Sequence, residues 1–266
     1  MSYGVESLRG TKGRRVLAMF ACSAAVALSA GSLGAGASTR HTDRSRTSVI
    51  AELPVISCPT TYGVQPPPSP FVPHQLPTTS VVHGLSYYSN GRITVLGPAG
   101  WACGALVAAD GGQDLDVYPP GKPDYATSLA PKGARLVEVE VDYTGHLPGA
   151  ELVCALFPNS AAAAEVKSVP LPCPTPTGEK TTALTPDVVT FIDPPGTSGS
   201  GAGSGGSLTS MGAAVYPQLS SASASADSVT VARLSCTLPK KRAALCAAIE
   251  GDFVVRNPPA YVPQAG

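Results

Sequence analysis

The 266-residue chain carries 18 Lys+Arg against 18 Asp+Glu, and charged residues make up only 14% of it. Balanced charge of this kind supplies no basic field for nucleic acid or anionic lipid. With 28 Gly, 27 Pro and 6% aromatics, the composition also argues against a long-helix or coiled-coil class and points to a chain of many turns.

At the N-terminus Arg9, Lys12, Arg14 and Arg15 precede an apolar run that begins at Val16. Ala35-Gly36-Ala37 then gives the small-x-small pattern of a signal-peptidase site, so residues 1–37 read as a signal peptide and Ser38 as the first mature residue. The run is nearly long enough to remain as a membrane anchor, but its Ala, Gly and Ser content and the cleavage pattern favour removal. Cleavage removes four basic residues and one acidic residue, leaving 14 against 17, and it discards Cys22. The mature chain is then expected to be secreted or associated with the cell envelope, with no membrane segment and no nucleic-acid partner.

Residues 38–57 are polar and mixed in charge and read as a flexible tether. From residue 58 to 257 the pattern is that of one β-rich domain, a sandwich or barrel-like antiparallel sheet with two short helices. A proline-rich strap follows Cys58, each proline fixing its backbone angle and lacking a donor. The stretch 87–121, YYSNGRITVLGPAGWACGALVAADGGQDLDVYPPG, has Asn90-Gly91 and Asp110-Gly111-Gly112 as reversals between apolar runs. It yields strands over 80–88, 92–96, 101–108 and 115–118. Trp101, Cys103, Ala105 and Val107 alternate onto one face, which puts the indole beside a disulfide in the core. If it is buried there, Trp101→Ala would cost about 3–5 kcal/mol.

Residues 134–143, ARLVEVEVDY, form the strongest strand pattern, with Leu136, Glu138, Glu140 and Asp142 on one face and Val137, Val139, Val141 and Tyr143 on the other. The acidic face reads as solvated. Residues 151–157 are a further strand candidate, and Asn159 or Ser160 caps a short helix over 161–167. Strands follow over 188–192, 212–216 and 228–236. A mobile Gly/Ser-rich loop (196–210) and a flexible SSASASA link (220–226) separate them. A helix over 239–250 with Gly251 past its end, a last strand over 253–256 and a proline-containing tail (258–266) complete the chain.

The six cysteines left after cleavage are Cys58, Cys103, Cys154, Cys173, Cys236 and Cys246. An even number in an exported chain implies three disulfides, and spacing favours sequential pairing without fixing it.

Sites of chemistry are sparse. Asp110, Asp114 and Asp116 are weak calcium candidates, because three carboxylates near one turn offer oxygen ligands, but the spacing is not that of an EF-hand loop. Glu138, Glu140 and Asp142 share a face that could offer paired acids for glycoside hydrolysis, though no cleft is legible. Gly201, Gly203 and Gly206 match a GxGxxG string that lies in a low-complexity loop and not between a strand and a helix, so it carries no dinucleotide reading. There is no G-x-S-x-G elbow, C-x-x-C pair or HExxH helix, and the mature histidines, His41, His74, His83 and His146, sit in no local motif. The sequence therefore assigns no catalytic residue, cofactor or resident metal. Lys240, Lys241 and Arg242 crowd the first turn of the last helix against its dipole, which marks them as a candidate contact for an acidic partner.

The segments GPAGWACGALVAADG, YTGHLPG and TPDVVTFIDPPG, together with the paired cysteines, resemble uncharacterised secreted proteins of actinobacteria. The likeness runs from Leu85 to Arg256. It implies export and single-domain organisation, and brings no catalytic or ligand residues with it. The expectation is a non-enzymatic extracellular or cell-envelope binding protein with an unidentified partner. The alternative is a secreted hydrolase whose catalytic residues come from separate loops. The sequence sets no oligomeric state.

Overall fold

Strict alternation in the LVEVEVDY stretch dictates a strand with one apolar and one acidic face, and the molecule is assembled around it. The structure, a computed structural model, describes residues 52–63, 75–77, 83–143, 147–160, 163–164, 176–216 and 230–257. These fall within one compact unit, Ser48–Gly266. Among them the strands are β1 (Glu52–Ser57), β2 (Thr60–Tyr62), β3 (Gln75–Pro77), β4 (Leu85–Ser89), β5 (Thr94–Pro98), β6 (Ala102–Val107), β7 (Gln113–Tyr118) and β8 (Leu136–Tyr143). Then come β9 (Lys180–Thr185), β10 (Val188–Asp193), β11 (Thr209–Val215) and β12 (Thr230–Leu238). The helices are α1 (Leu147–Leu156) and α2 (Ala243–Arg256).

The class is mainly β, as the alternation and turn residues require. Two open sheets, of order β3-β1-β4-β5 and β2-β6-β7-β8-β12-β11-β10-β9, do not close into a barrel. Most pairs are antiparallel, but β1 runs parallel to β4 and β2 parallel to β6. The valine face of β8 and the matching faces of β6, β7 and β12 share a core with the small sheet and α2. Its members include Val55, Tyr87, Val95, Leu115, Val137, Leu234, Ile249 and Phe253.

Several expectations need correction. Residues 52–57, read as tether, form β1, which lies between β3 and β4 with Val55 buried; the apolar run is short, holds Pro54 and follows a polar stretch, so the strand is defined by its long-range pairing. Of residues 151–157, read as a strand, 151–156 belong to α1 and Phe157 follows its end. A continuous apolar run does not separate a buried strand from a buried helix, and Pro148 in the first turn was the informative residue. Residues 253–256 are helical as well. Gly251 does not end α2: its cost of about 1 kcal/mol is outweighed by what lies beyond it. Phe253 is buried, and Asp252 and Arg256 both reach the Tyr87 hydroxyl in β4. Of the helix expected over 161–167, residues 163–164 are described as helical, and the Ser160 hydroxyl accepts from the Ala163 N–H at 3.1 Å. Most of the proline-rich strap, the 220–226 link and the 258–266 tail lie outside the described residues.

The stretch 87–121 keeps its reversals but not its expected centre. Asn90 Oδ1 accepts from the N–H groups of Arg92 and Ile93 at 2.9 and 2.8 Å, and Gly91 takes a φ of 89° that favours glycine. Trp101, however, is only half-buried at the rim of the core. Tyr87 and Tyr88 of β4 are fully buried instead. The Tyr88 hydroxyl donates to the Pro98 carbonyl at 2.6 Å and accepts from the Trp101 N–H at 3.1 Å, so it organises the turn that carries the tryptophan.

Disulfides join Cys58 to Cys103 and Cys236 to Cys246, as sequential pairing requires. Cys154 is also disulfide-bonded, and its expected partner Cys173 lies outside the described residues. Tyr88→Ala should cost about 3–5 kcal/mol in denaturant unfolding. Trp101→Ala should cost clearly less, and the reverse order would show the core misassigned. Peptide mapping without reduction should recover Cys58–Cys103 and Cys236–Cys246 as separate linked pairs.

Candidate functional site: a charged cluster under two loops

The face of the large sheet opposite the shared core is divided. Toward β10 and β11 it is apolar and packs under α1 through Leu152, Val153, Leu156, Phe191 and Val231. In the middle it is charged. Strand register sets Asp114 of β7 beside Glu140 of β8, and Glu140 beside Arg233 of β12. One step along, Asp116 lies beside Glu138, and Glu138 beside Ser235. The Arg233 guanidinium contacts both Glu138 and Glu140 and also donates to the Ser200 carbonyl.

This face is not solvated, contrary to the alternation-based reading. Two loops cover it. Residues 196–206 carry the Gly/Ser-rich composition that predicts mobility, but they are folded down and anchored. The Gly201 N–H donates to Asp193 Oδ2 at 2.8 Å, the Ala202 N–H to the Ser235 hydroxyl at 2.9 Å, and Thr237 to the Ala202 carbonyl at 2.6 Å. The glycines serve close approach: a Cβ at Gly199 would lie 1.8 Å from Asp193 Oδ1, and one at Gly201 2.1 Å from the Ser210 hydroxyl oxygen. Of the GxGxxG string, Gly201 lies against the buried aspartate, while Gly203 and Gly206 make close approaches to Ala134 and Gly133. The other loop begins at Asp124, whose Oδ1 accepts from the Ala126 N–H at 3.1 Å and whose carbonyl accepts from Ser128. A Cβ at Gly104 would lie 2.0 Å from Asp124 Oδ1, so only glycine lets the Asp124 carboxylate lie on β6.

Between the 124–130 loop and the sheet is a cavity of about 480 Å³ lined by Asp114, Asp116, Glu138, Glu140, Arg233 and Tyr125. On the other side of Arg233 a wider cleft of about 850 Å³ runs toward α1, with Glu140, Glu151 and Ser200 in its walls.

Burial and like charges shift the acids. Asp114 is pushed up to about 8 by burial and by Glu140 and Glu138, against the opposing pull of Arg233. Asp116 is pushed up to about 9 by burial first, then by Glu138, Asp114, its hydrogen bond to Glu138, and Asp124. Glu138 is pushed up as well, by burial first, with Arg233 pulling it down, Glu140 adding to the rise and the hydrogen bond to Asp116 opposing it. Burial pulls Arg233 down, but Glu140, Glu138, Asp114 and Asp116 outweigh it and hold the guanidinium charged. Asp193, enclosed by the glycine loop, is pushed up to about 7 by burial, with Glu179 adding to the shift.

The structure separates the calcium candidates. Asp110 is exposed at the β6–β7 turn, where its Oδ1 accepts from the Gly112 N–H at 3.1 Å, whereas Asp114 and Asp116 join the charged cluster. Among the described residues no group of three or more His, Cys, Asp or Glu side chains is placed to hold a metal ion. Asp142, at the end of the acidic row, is buried and accepts from the Tyr143 N–H at 2.6 Å. His83 is exposed in the turn before β4 and lines neither cavity, while His41, His74 and His146 lie outside the described residues. Lys240, Lys241 and Arg242 form an exposed 3₁₀ turn leading into α2. Arg233 escaped the sequence reading. Its signal was a single cation in the otherwise apolar TVARLSC strand, a placement that demands buried counter-charges.

Comparison with protein-family models, with curated proteins and with solved structures finds no match to the chain.

The folded chain holds protons on Asp114 and Asp116 that the unfolded chain releases above about pH 4. Their stabilising contribution is complete below that range and is lost as pH rises through about 8 and about 9. Asp193 and Glu250, each pushed up to about 7, act in the same direction. The melting temperature should therefore fall as pH is raised from about 5 to about 9 at fixed salt, and Asp116→Asn should flatten the slope.

Proposed function

We propose that the chain is an exported, non-enzymatic binding protein acting outside the cell or at its envelope, with the cavity over Asp114 and Asp116 as its ligand site. The observation that carries the reading is a preformed open cavity of mixed polar and apolar lining, floored by β-strands and bordered by anchored loops. The disulfides support an oxidising compartment, in keeping with the basic and apolar leader. No helix among the described residues is long and apolar enough to cross a membrane.

A secreted hydrolase is the second reading, and one observation favours it. Asp116 and Glu138 are neighbouring, hydrogen-bonded carboxyls, both pushed up first by burial, and a pair of carboxyls sharing one site is the arrangement from which a general acid and base can be drawn. The two readings separate on one experiment. The secreted protein is incubated with cell-wall and culture-supernatant fractions and with a panel of glycoside and ester substrates, alongside Asp114→Asn and Asp116→Asn variants. Retention of a small ligand without turnover, weakened in both variants, supports binding. Turnover abolished in Asp116→Asn would establish the hydrolase instead.

A further inference from the structure

We propose that Asn90 is a conditional deamidation site, closed while the β4–β5 turn is formed and open whenever that turn opens. The inference is independent of the cavity over Asp114 and Asp116. The chain has three asparagines: Asn257 precedes a proline, which has no N–H, Asn159 precedes a serine, and Asn90 alone precedes a glycine. The reaction is intramolecular. The Gly91 main-chain nitrogen gives up its proton and bonds to Asn90 Cγ, the Cγ–Nδ2 bond breaks, and Nδ2 leaves as ammonia. Water then opens the cyclic imide at either carbonyl, giving aspartate or isoaspartate at position 90. Glycine favours ring closure because it has no side chain to obstruct the approach and its backbone turns freely.

In the folded turn both reacting groups are held. Asn90 is 7% exposed, and its Oδ1 accepts from the N–H groups of Arg92 and Ile93. Nδ2, the leaving atom, has no hydrogen-bond partner, so the side chain is fixed through Oδ1. The attacking Gly91 N–H is occupied, since it donates to the Ser89 hydroxyl at 3.1 Å. That hydroxyl is itself buried, donating to the Ile93 carbonyl at 2.8 Å and lying 2.8 Å from Thr94 Oγ1. Attack requires release of the Gly91 N–H and rotation of the Asn90 amide away from both its donors. The reaction therefore passes through local opening of the turn, and its rate follows the population of the open form.

The two products differ in what they restore. Aspartate keeps an oxygen in the place of Oδ1 and caps the same two N–H groups. Isoaspartate routes the main chain through Cβ and Cγ, which lengthens the backbone and removes that acceptor. This turn sets the register of β4 against β5, and β4 carries the fully buried Tyr87 and Tyr88. A chain converted to isoaspartate while open cannot close the hairpin in its native register, so time spent unfolded leaves a permanent covalent mark.

Timed incubation at mildly alkaline pH tests this on the full chain with disulfides formed and on the same chain reduced in urea. Peptide mapping by mass spectrometry separates asparagine, aspartate and isoaspartate at position 90, with Asn159 as the internal reference. Conversion of Asn90 should be slower by about tenfold or more in the folded chain, and faster than that of Asn159 once the chain is unfolded. Ser89→Ala frees the Gly91 N–H, so it should raise the folded-state rate severalfold and leave the unfolded rate unchanged. Should that variant not fold, Asn90→Asp and Asn90→Ala test the capping argument: the first should melt close to the parent chain and the second clearly lower. When a partly converted sample is refolded, chains with aspartate should return to the folded fraction and chains with isoaspartate should not. Equal rates in the folded and unfolded chains, no conversion of Asn90 in urea, or recovery of isoaspartate chains as complete as that of aspartate chains would overturn the inference. So would an Asn90→Ala chain as stable as Asn90→Asp.

Discussion

A single buried guanidinium governs the outer face of the large sheet. Arg233 stands on β12 with acids on the neighbouring β8 strand and more acids one strand further, and it alone among the cavity-lining side chains opposes their charge. Removing an ion from water is costly, so such a residue persists only where counter-charges and hydrogen bonds converge on it. That condition explains several otherwise unrelated features. Glu138 and Glu140 both turn to one cation, Ser200 offers its carbonyl from the covering loop, and Asp114 and Asp116 are pushed up by burial and by the neighbouring acids. Without Arg233, three or four carboxyls would lie side by side under loops with nothing to offset them.

The opposite face solves a different problem. There the sheet meets the four-stranded sheet and α2, and the packing is largely apolar, with polar contacts at the tyrosines of β4. The Tyr87 hydroxyl donates to Asp252 at 2.9 Å, and the Arg256 guanidinium lies over the Tyr87 ring at 4.4 Å from its centroid. This triad places a strand near the start of the domain under the last turn of its last helix. The Cys236–Cys246 bridge fixes the other end of that helix to β12, so α2 is held by a covalent link at one end and a polar one at the other.

Legibility in the sequence followed the range of the interactions. The β8 alternation, the Asn90-Gly91 and Asp110-Gly111 reversals and the sequential cysteine pairs depend on neighbours and were readable. β1 was not, because its identity as a strand comes from pairing with β4 and β3, further along the chain, while its own apolar run is short and broken by Pro54. α1 was misread because ELVCALF has no polar position after Glu151 to reveal its period. The glycine-rich segment was misread for a different reason. Its composition looks like that of a linker, yet the glycines are there to admit Asp193 and Ser210, which only a folded structure brings near. The charged cluster was half visible: the acids lay on one face of β8 in plain view, but their burial depended on loops and on Arg233, far along the chain.

The Tyr87–Asp252–Arg256 contact also constrains when the core can close. Tyr87 and Asp252 are separated by 165 residues, and Tyr87 and Arg256 by 169. A chain synthesised or threaded through a pore N-terminus first presents β4 long before α2 exists to cover it. The small sheet must wait, its tyrosines uncovered, until the end of the domain arrives. Local hairpins such as β4–β5 and β6–β7 can pair early, but the shared core is completed only after release of the C-terminal helix. Such a domain is poorly suited to folding in stages as it emerges, and its core closes in one late step.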